Sequence, residues 1–166
     1  MERMPQTHPF PPLYDGHSRV LILGSFPSVA SRVAAFFYGH PQNRFWRVLA
    51  ALFGTDVPQT VGEKTALVLG SRLALWDTIA SCEIAGSSDA SIQNVRANDL
   101  REILNGADIR AIFCNGGTSY RWYTRLLRGA LGREAALLPS PSPANAAWTL
   151  ERLVEAWGAA ILPHLE

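Results

Sequence analysis

The chain has 166 residues, 48% of them apolar and 17% charged, which fits one ordinary globular domain and excludes a disordered chain. Its formal charge of +1 argues against broad electrostatic binding to nucleic acid, and Lys64 is the one lysine among 15 basic residues; that arginine excess suits phosphate contacts and is equally explained by codon bias. Cys82 and Cys114 are the only cysteines, too few for a disulfide framework or a four-cysteine metal site, so no metal or cofactor is expected.

In chain order, Met1 to Ser18 holds Pro5, Pro9, Pro11, Pro12 and Gly16 and reads as an extended arm (residues 1–18) on the surface of a domain spanning 19–166. The arm lacks the apolar core of a secretion signal. No apolar run reaches the ~18 residues of a membrane span, so a cytoplasmic protein without membrane attachment is expected. Arg19 to Leu23 reads as a buried parallel strand. A Gly24-Ser25-Phe26-Pro27 turn follows, then a loop with Phe36, Phe37, Tyr38 and His40-Pro41-Gln42-Asn43. Asn43 opens a helix with Phe45, Val48, Leu49 and Leu52 on one face, and Gly54 is placed to stop it.

A helix is predicted across 61–72 and a second strand over 73–79. Residues 80–97 are polar and rich in Ser and read as a structure-poor binding loop. Asn98 is expected to cap a short helix through Leu104. Ile109 to Cys114 forms a third strand ending in Asn115-Gly116-Gly117, and Thr118 opens the next helix. Ala135 to Leu138 is the fourth strand, followed by a Ser-Pro loop and a last helix over about 145–159. Strands alternating with helices imply an α/β fold, a three-layer α/β/α sandwich around a four-stranded parallel sheet.

Three strands end in polar turns, at Gly24 to Pro27, Asn115 to Gly117 and Pro139 to Ser142. In a parallel sheet these share one edge and converge on one cleft. Asn43 is there as a helix cap or as a group that orients a water; an amide cannot take a proton at neutral pH. Tyr38 packs in the core or faces a ligand, while Phe36 and Phe37 read as core. His40 reads as a loop-holding group, and Asp77, the only carboxylate expected near that edge, as a loop brace. Ser140, Ser142 and Asn145 lie on a proline-stiffened loop, either a rigid connection or a phosphate holder.

The block Gly24-Ser25-Phe26-Pro27, followed by Tyr38-Gly39-His40-Pro41-Gln42-Asn43-Arg44-Phe45-Trp46, resembles the first motif of the uracil-DNA glycosylase superfamily. It is closest to the hypoxanthine-DNA glycosylase and mismatch-specific branches. Leu138-Pro139-Ser140-Pro141-Ser142-Pro143-Ala144-Asn145 falls where that family's second active-site loop should be. The resemblance implies a uracil-DNA glycosylase-like fold and a monomeric, monofunctional DNA glycosylase of base excision repair. Its partner would be DNA containing a deaminated base, most readily hypoxanthine (deoxyinosine), then uracil.

The resemblance makes Asn43 the water-positioning residue and Asn115 the residue that reads the base, with Gly24, Ser25, Phe26 and Tyr38 around the base. Ser140, Ser142 and Asn145 would hold DNA, with His40 and Asp77 as accessory groups. Two positions depart from the pattern. Phe26 stands where uracil glycosylases carry a water-activating Asp or Asn, and Leu138 where active members carry a His. Both departures fit the hypoxanthine branch. They also leave a rival reading, a non-enzymatic base- or nucleotide-binding module on the same fold.

Overall fold

The computed structural model describes residues 2–166. Strand β1 (Met4–Thr7) begins the arm, and β2 (Val20–Gly24) starts the alternation. Helices α1 (Val29–Ala34), α2 (Phe45–Phe53) and α3 (Val61–Gly70) lead to β3 (Leu73–Asp77). The chain continues through β4 (Ile79–Ile84), β5 (Gln93–Ala97), α4 (Arg101–Gly106), β6 (Ala111–Asn115), α5 (Gly117–Leu126) and α6 (Arg128–Leu131). It closes with β7 (Ala136–Leu138) and α7 (Leu150–Ile161).

Strands β3, β2, β6 and β7 form the expected parallel sheet in that order. Every residue of β2 and β3 is buried, which is why both read as unbroken apolar runs: helices cover the sheet on both sides. The register sets Gly24 beside Asp77 and Asn115 beside Leu138, so four strand ends share one edge.

Helix α2 buries Phe45, Trp46, Val48, Leu49 and Ala50 and stops at Gly54, whose φ of 65° allows its N–H to bond the Ala50 carbonyl. Helix α3 opens with a Thr60–Glu63 capping box. In α7, Leu153, Trp157 and Ile161 recur at helical spacing and are fully buried. The Trp157 indole N–H donates to the Pro139 carbonyl at 2.9 Å, which ties this helix to the Ser-Pro loop. The helix starts at Leu150 rather than near 145, because 145–148 forms a turn with its own partners, described below.

A second sheet was not foreseen. Residues 80–97 are not a structure-poor loop: β4 and β5 pair antiparallel, and β1 pairs with β4 on its other side. The sheet covers a separate cluster of Phe26, Ile79, Cys82, Ile84 and Ile92. Its apolar alternation is broken by register shifts in the hairpin, so the polar residues between dominate a reading by period. The expected second strand accordingly ends at Asp77, with Ile79 already in β4. The arm is extended but does not lie wholly on the surface, since Phe10 joins the main core.

Asn98 does not cap a helix. It is buried, and its side-chain amide donates to the Asp77 carbonyl at 2.7 Å and the Ile79 carbonyl at 3.2 Å. It thereby fastens the point where the chain passes from one sheet to the other. Among the described residues, no helix is long and apolar enough to cross a membrane. Asn98→Ala would strand two buried carbonyls rather than lose a surface cap. We expect it to destabilise the fold by roughly 1–3 kcal/mol, read as a lowered denaturation midpoint with unchanged slope; a midpoint equal to the parent's would show that these bonds contribute nothing.

Candidate active site

The strand ends and loops enclose a cavity of about 460 Å3. Its walls include Gly24, Ser25, Phe26, Tyr38, His40, Asn43, Asp77, Asn115, Ser140 and Ser142. Of the candidate site residues read from sequence, Asn145 alone does not line it. Asn145 is half-buried behind the loop, with its amide donating to the Ser140 carbonyl at 2.9 Å.

Two loops meet through Arg44. Its backbone N–H donates to the Pro141 carbonyl at 3.1 Å. The guanidinium donates to the carbonyls of Pro141 at 3.2 Å, Ser142 at 3.1 Å and Asn145 at 3.2 Å, and also to that of Trp148. One side chain thus fixes the Ser-Pro loop against the start of α2. Within that loop, Ser140 Oγ accepts from Ser142 N, and Ser142 Oγ from Ala144 N. Both hydroxyls keep a hydrogen for a ligand.

Asn43 lies at the N-terminus of α2, where its Oδ1 accepts from Phe45 N at 2.9 Å. Arg44 rather than Asn43 occupies the N-cap position, so this bond closes a turn just ahead of the helix, and it leaves the NH2 group of Asn43, a residue of the cavity wall, free. His40 Nδ1 accepts from Gln42 N at 3.1 Å, which holds the loop. The ring is exposed.

Tyr38 sits at the base of the cavity in the left-handed region, φ 51°, a conformation disfavoured for an aromatic residue. It is held there on three sides. Trp46 Nε1 donates to the Tyr38 carbonyl at 3.2 Å and Ser31 Oγ accepts from Gly39 N at 2.8 Å. The Phe45 ring stacks on it with centroids 3.8 Å apart. One face of Tyr38 is therefore covered by protein. Burial holds the phenol pKa far above its usual value, with the Asp77 charge adding to the effect. The Asn115 Nδ2 group donates to Tyr38 Oη at 3.1 Å. Asn115 Oδ1 is buried and has no partner among the described residues, which disfavours the free state by roughly 1–3 kcal/mol unless a donor arrives.

Asp77 is not the only carboxylate here, because Asp89, at the tip of the β4–β5 hairpin, also lines the cavity. Ser25 Oγ donates to Asp89 Oδ1 at 3.1 Å. Loss of water around the Asp89 carboxyl pushes its pKa up, against hydrogen bonds from Ser25 and Thr118 that pull it down. Asp77 itself is buried and contacts the arm: Asp77 Oδ2 lies 2.7 Å from His8 Nε2.

A sequence model of the family described as the Uracil DNA glycosylase superfamily matches residues 11–161. The chain belongs to that superfamily. A hypoxanthine DNA glycosylase of Methanosarcina acetivorans is 34% identical over 151 residues, covering 90% of this chain and 94% of the relative. One from Methanosarcina barkeri is 33% identical over 139 residues, covering 82% and 86%. The solution NMR structure of a candidate uracil DNA glycosylase from M. acetivorans superposes with a TM-score of 0.80 at 33% identity, covering 98% of this chain and 99% of that one.

The glycosylase thus has the fold expected of it, and it acts hydrolytically on DNA. Phe26 directs no chemistry into the cavity: its ring belongs to the second apolar cluster, with the Arg32 guanidinium 5.6 Å from its centroid. Leu138 is core. His8, Phe10, Asp89 and Arg44 were missed by sequence reading. Arg44 stood inside the most distinctive motif, and that was the one available signal. Phe10 and Asp89 reach the cavity, and His8 reaches Asp77 behind its wall, through pairings that no local pattern announces.

Gly24 has no room for a side chain, because a Cβ there would stand 2.4 Å from Asp77 Oδ1 and 3.2 Å from Tyr38 Oη. Both neighbours are held, so Gly24→Ala forces Asp77 off His8. We expect roughly 1–3 kcal/mol of destabilisation and at least a tenfold loss in excision rate; a variant with parent kinetics would show that the floor of the cavity tolerates the shift.

Proposed function

We propose that this glycosylase excises hypoxanthine from DNA, leaving an abasic site, and that uracil is a poorer substrate. The observation that carries this reading is the Asn115 amide at the cavity wall, with an unpartnered buried oxygen beside an NH2 group. Hypoxanthine and uracil both offer a carbonyl next to an N–H, the complement of one Asn amide. A cavity of about 460 Å3 has room for a purine, and both named relatives are hypoxanthine DNA glycosylases.

The extruded base lies against Tyr38 and reaches Asn115, close to the turn that begins at Gly24 and Ser25. As the C1′–N9 bond breaks, its electron pair leaves with the base and positive charge grows on the sugar. A water attacks C1′ and gives up its proton to solvent, which returns one to the departed base, so the products are an abasic sugar hydroxyl and neutral hypoxanthine. The Asn43 NH2 group, left free by the bond to Phe45 N, orients that water. A backbone carbonyl of the Gly24–Pro27 turn supplies the acceptor; those of Gly24 and Ser25 already take one hydrogen bond each, from Thr78 N and Ile79 N. Neither group is a strong base, so departure of the base leads and water follows. Ser140 and Ser142 hydroxyls hold the flanking phosphates, and Asn145 shapes their loop.

Lys64, the single lysine, lies over the Trp46 ring, 5.3 Å from its centroid, and does not line the cavity. A Schiff-base route is thereby disfavoured and the enzyme is monofunctional. We take it to work as a cytoplasmic monomer.

The reading is tested with duplexes carrying hypoxanthine, uracil or xanthine, each followed by alkaline cleavage of abasic sites; failure to cleave any of them overturns it. Asn43→Ala should remove most of the single-turnover rate while lesion binding stays near normal. Loss of its bond to Phe45 N should lower stability by only ~1 kcal/mol. A destabilised variant that turns over normally would leave Asn43 as a turn-holding residue and nothing more.

Asn115→Asp keeps the shape but removes both donors and sets a carboxyl against the base carbonyl. An unpaired or repelled group in a closed pocket costs roughly 1–3 kcal/mol, more when charged, so hypoxanthine excision should fall at least tenfold. Excision at the parent rate would place base reading elsewhere.

A further inference from the structure

Helix α5 starts on the rim of the cavity and carries an arginine pair that no ion pair within the protein explains. At its start, a Cβ on Gly116 would stand 3.4 Å from Ser140 Cβ, and the Thr118 side chain bonds the Asp89 carboxyl. Ser140 and Asp89 both line the cavity, so the helix leaves from between them. Thr118, Arg121 and Arg125 follow at i, i+3 and i+7 and therefore share one face. Arg121 stands about 4.5 Å and Arg125 about 10 Å beyond Thr118 along the helix axis. Both arginines are exposed.

Other arginines of the chain are held by the fold. Arg32 donates to the Gly86 carbonyl, Arg44 to four carbonyls and Arg133 to the Ile109 carbonyl. Arg101 pairs with Asp99 at 2.7 Å and Arg128 with Glu134 at 4.0 Å. Arg121 and Arg125 have no carboxylate within salt-bridge distance among the described residues. Instead, both guanidinium groups lie over one ring, that of Trp122, 5.7 and 5.1 Å from its centroid. The indole is half-buried and packs on the second apolar cluster, so the surface beneath the two charges is fixed.

Two like charges four residues apart on a helix repel each other. Arg125 lies in the last turn, where the helix dipole favours a cation. Arg121 is a full turn earlier and gains nothing from that end. The pair is therefore a cost to the free protein that an anion relieves, and stacking on the indole orders both side chains before the anion arrives. We propose that Arg121 and Arg125, clamped on Trp122, form a seat for the DNA backbone on the flank of the cavity, taking phosphates beyond those assigned to Ser140 and Ser142.

A guanidinium is suited to bidentate contact with a phosphodiester, and this seat begins one turn from the rim. It also accounts for how a chain of formal charge +1 engages a polyanion, since positive charge is concentrated along one helix face. Phosphate contacts position a duplex without reading its sequence. The seat thus leaves the choice of base to the cavity.

The test measures binding of the full chain to a lesion-free duplex by fluorescence anisotropy over a series of salt concentrations. Arg121→Gln and Arg125→Gln should each reduce the slope of log affinity against log salt by about 1, and the double variant by about 2. The double lysine variant, Arg121→Lys with Arg125→Lys, keeps both charges and should keep the slope. Arg101→Gln removes an exposed arginine that is already paired and should leave the slope unchanged. Affinity for a duplex holding hypoxanthine should fall by the same factor as for the lesion-free one.

Thermal melts establish that each variant is folded. A double glutamine variant with the parent's slope overturns the seat. So does a lysine pair that loses as much as the glutamine pair, or an Arg101→Gln that loses as much as either single variant, which would mark a general effect of net charge. A loss confined to the hypoxanthine duplex also overturns it, because the arginines would then act at the base. The lesion-free duplex offers no base to excise, so a protein that shows the slope change but leaves hypoxanthine untouched overturns the proposed activity and leaves the seat standing.

Discussion

The cleft depends on one cation bonded to neutral carbonyls. Arg44 has no carboxylate partner within salt-bridge distance among the described residues, and its donors go to four carbonyls of the Ser-Pro loop and the turn after it. A guanidinium presents five N–H groups in a fixed plane, so it can gather several backbone oxygens that no lysine could satisfy at once. The carbonyls of a non-repetitive loop need partners when partly buried, and here they find them in the residue that begins α2. The first and last loops of the site, nearly a hundred residues apart in sequence, are thereby set in one geometry before any DNA arrives. Trp157, donating to the Pro139 carbonyl, braces the same loop from the helix behind it.

A site built this way is stiff in its walls and spare in its chemistry. The polar groups that face the cavity are amides, hydroxyls, the His40 imidazole and two carboxyls already engaged, by His8 at Asp77 and by Ser25 at Asp89. Phe26 and Leu138, which depart from the family's usual polar residues, have become packing elements of two different cores. The two losses are therefore structural substitutions with new partners. The strained backbone of Tyr38 shows the same economy, since stacking and two hydrogen bonds hold a disfavoured conformation at the place where a base would lie.

Much of this was legible in the sequence, and for an identifiable reason. Buried parallel strands write themselves as continuous apolar runs, and Val20 to Leu23 and Leu73 to Trp76 do so plainly. Parallel connection then forces the strand ends together, so Gly24, Asp77 and Asn115 could be placed on one edge without coordinates. The β4–β5 hairpin was opaque because its strands shift register twice, and Ser81, Glu83, Gln93 and Asn94 interrupt its apolar residues. Asn98 looked like a cap because it precedes a helix, yet its partners lie about twenty residues back. His8 was illegible for a stronger reason: only the pairing of β1 with β4 sets its distance from Asp77, and a Pro-rich arm carries no periodic trace of such pairing.

The two cysteines give the two sheets separate reporters. Cys114 lies in the main core and Cys82 in the smaller cluster, and burial pushes each thiol up to about 11. Only the thiolate reacts with disulfide or maleimide reagents, so modification at neutral pH requires the surrounding segment to open first. The pace at which each thiol becomes labelled is therefore a clock for its own sheet. If the hairpin and arm breathe as a unit apart from the parallel sheet, Cys82 runs fast while Cys114 stays silent. Since that same unit carries Asp89 to the cavity and His8 to Asp77, its clock also counts how often the wall of the site comes apart.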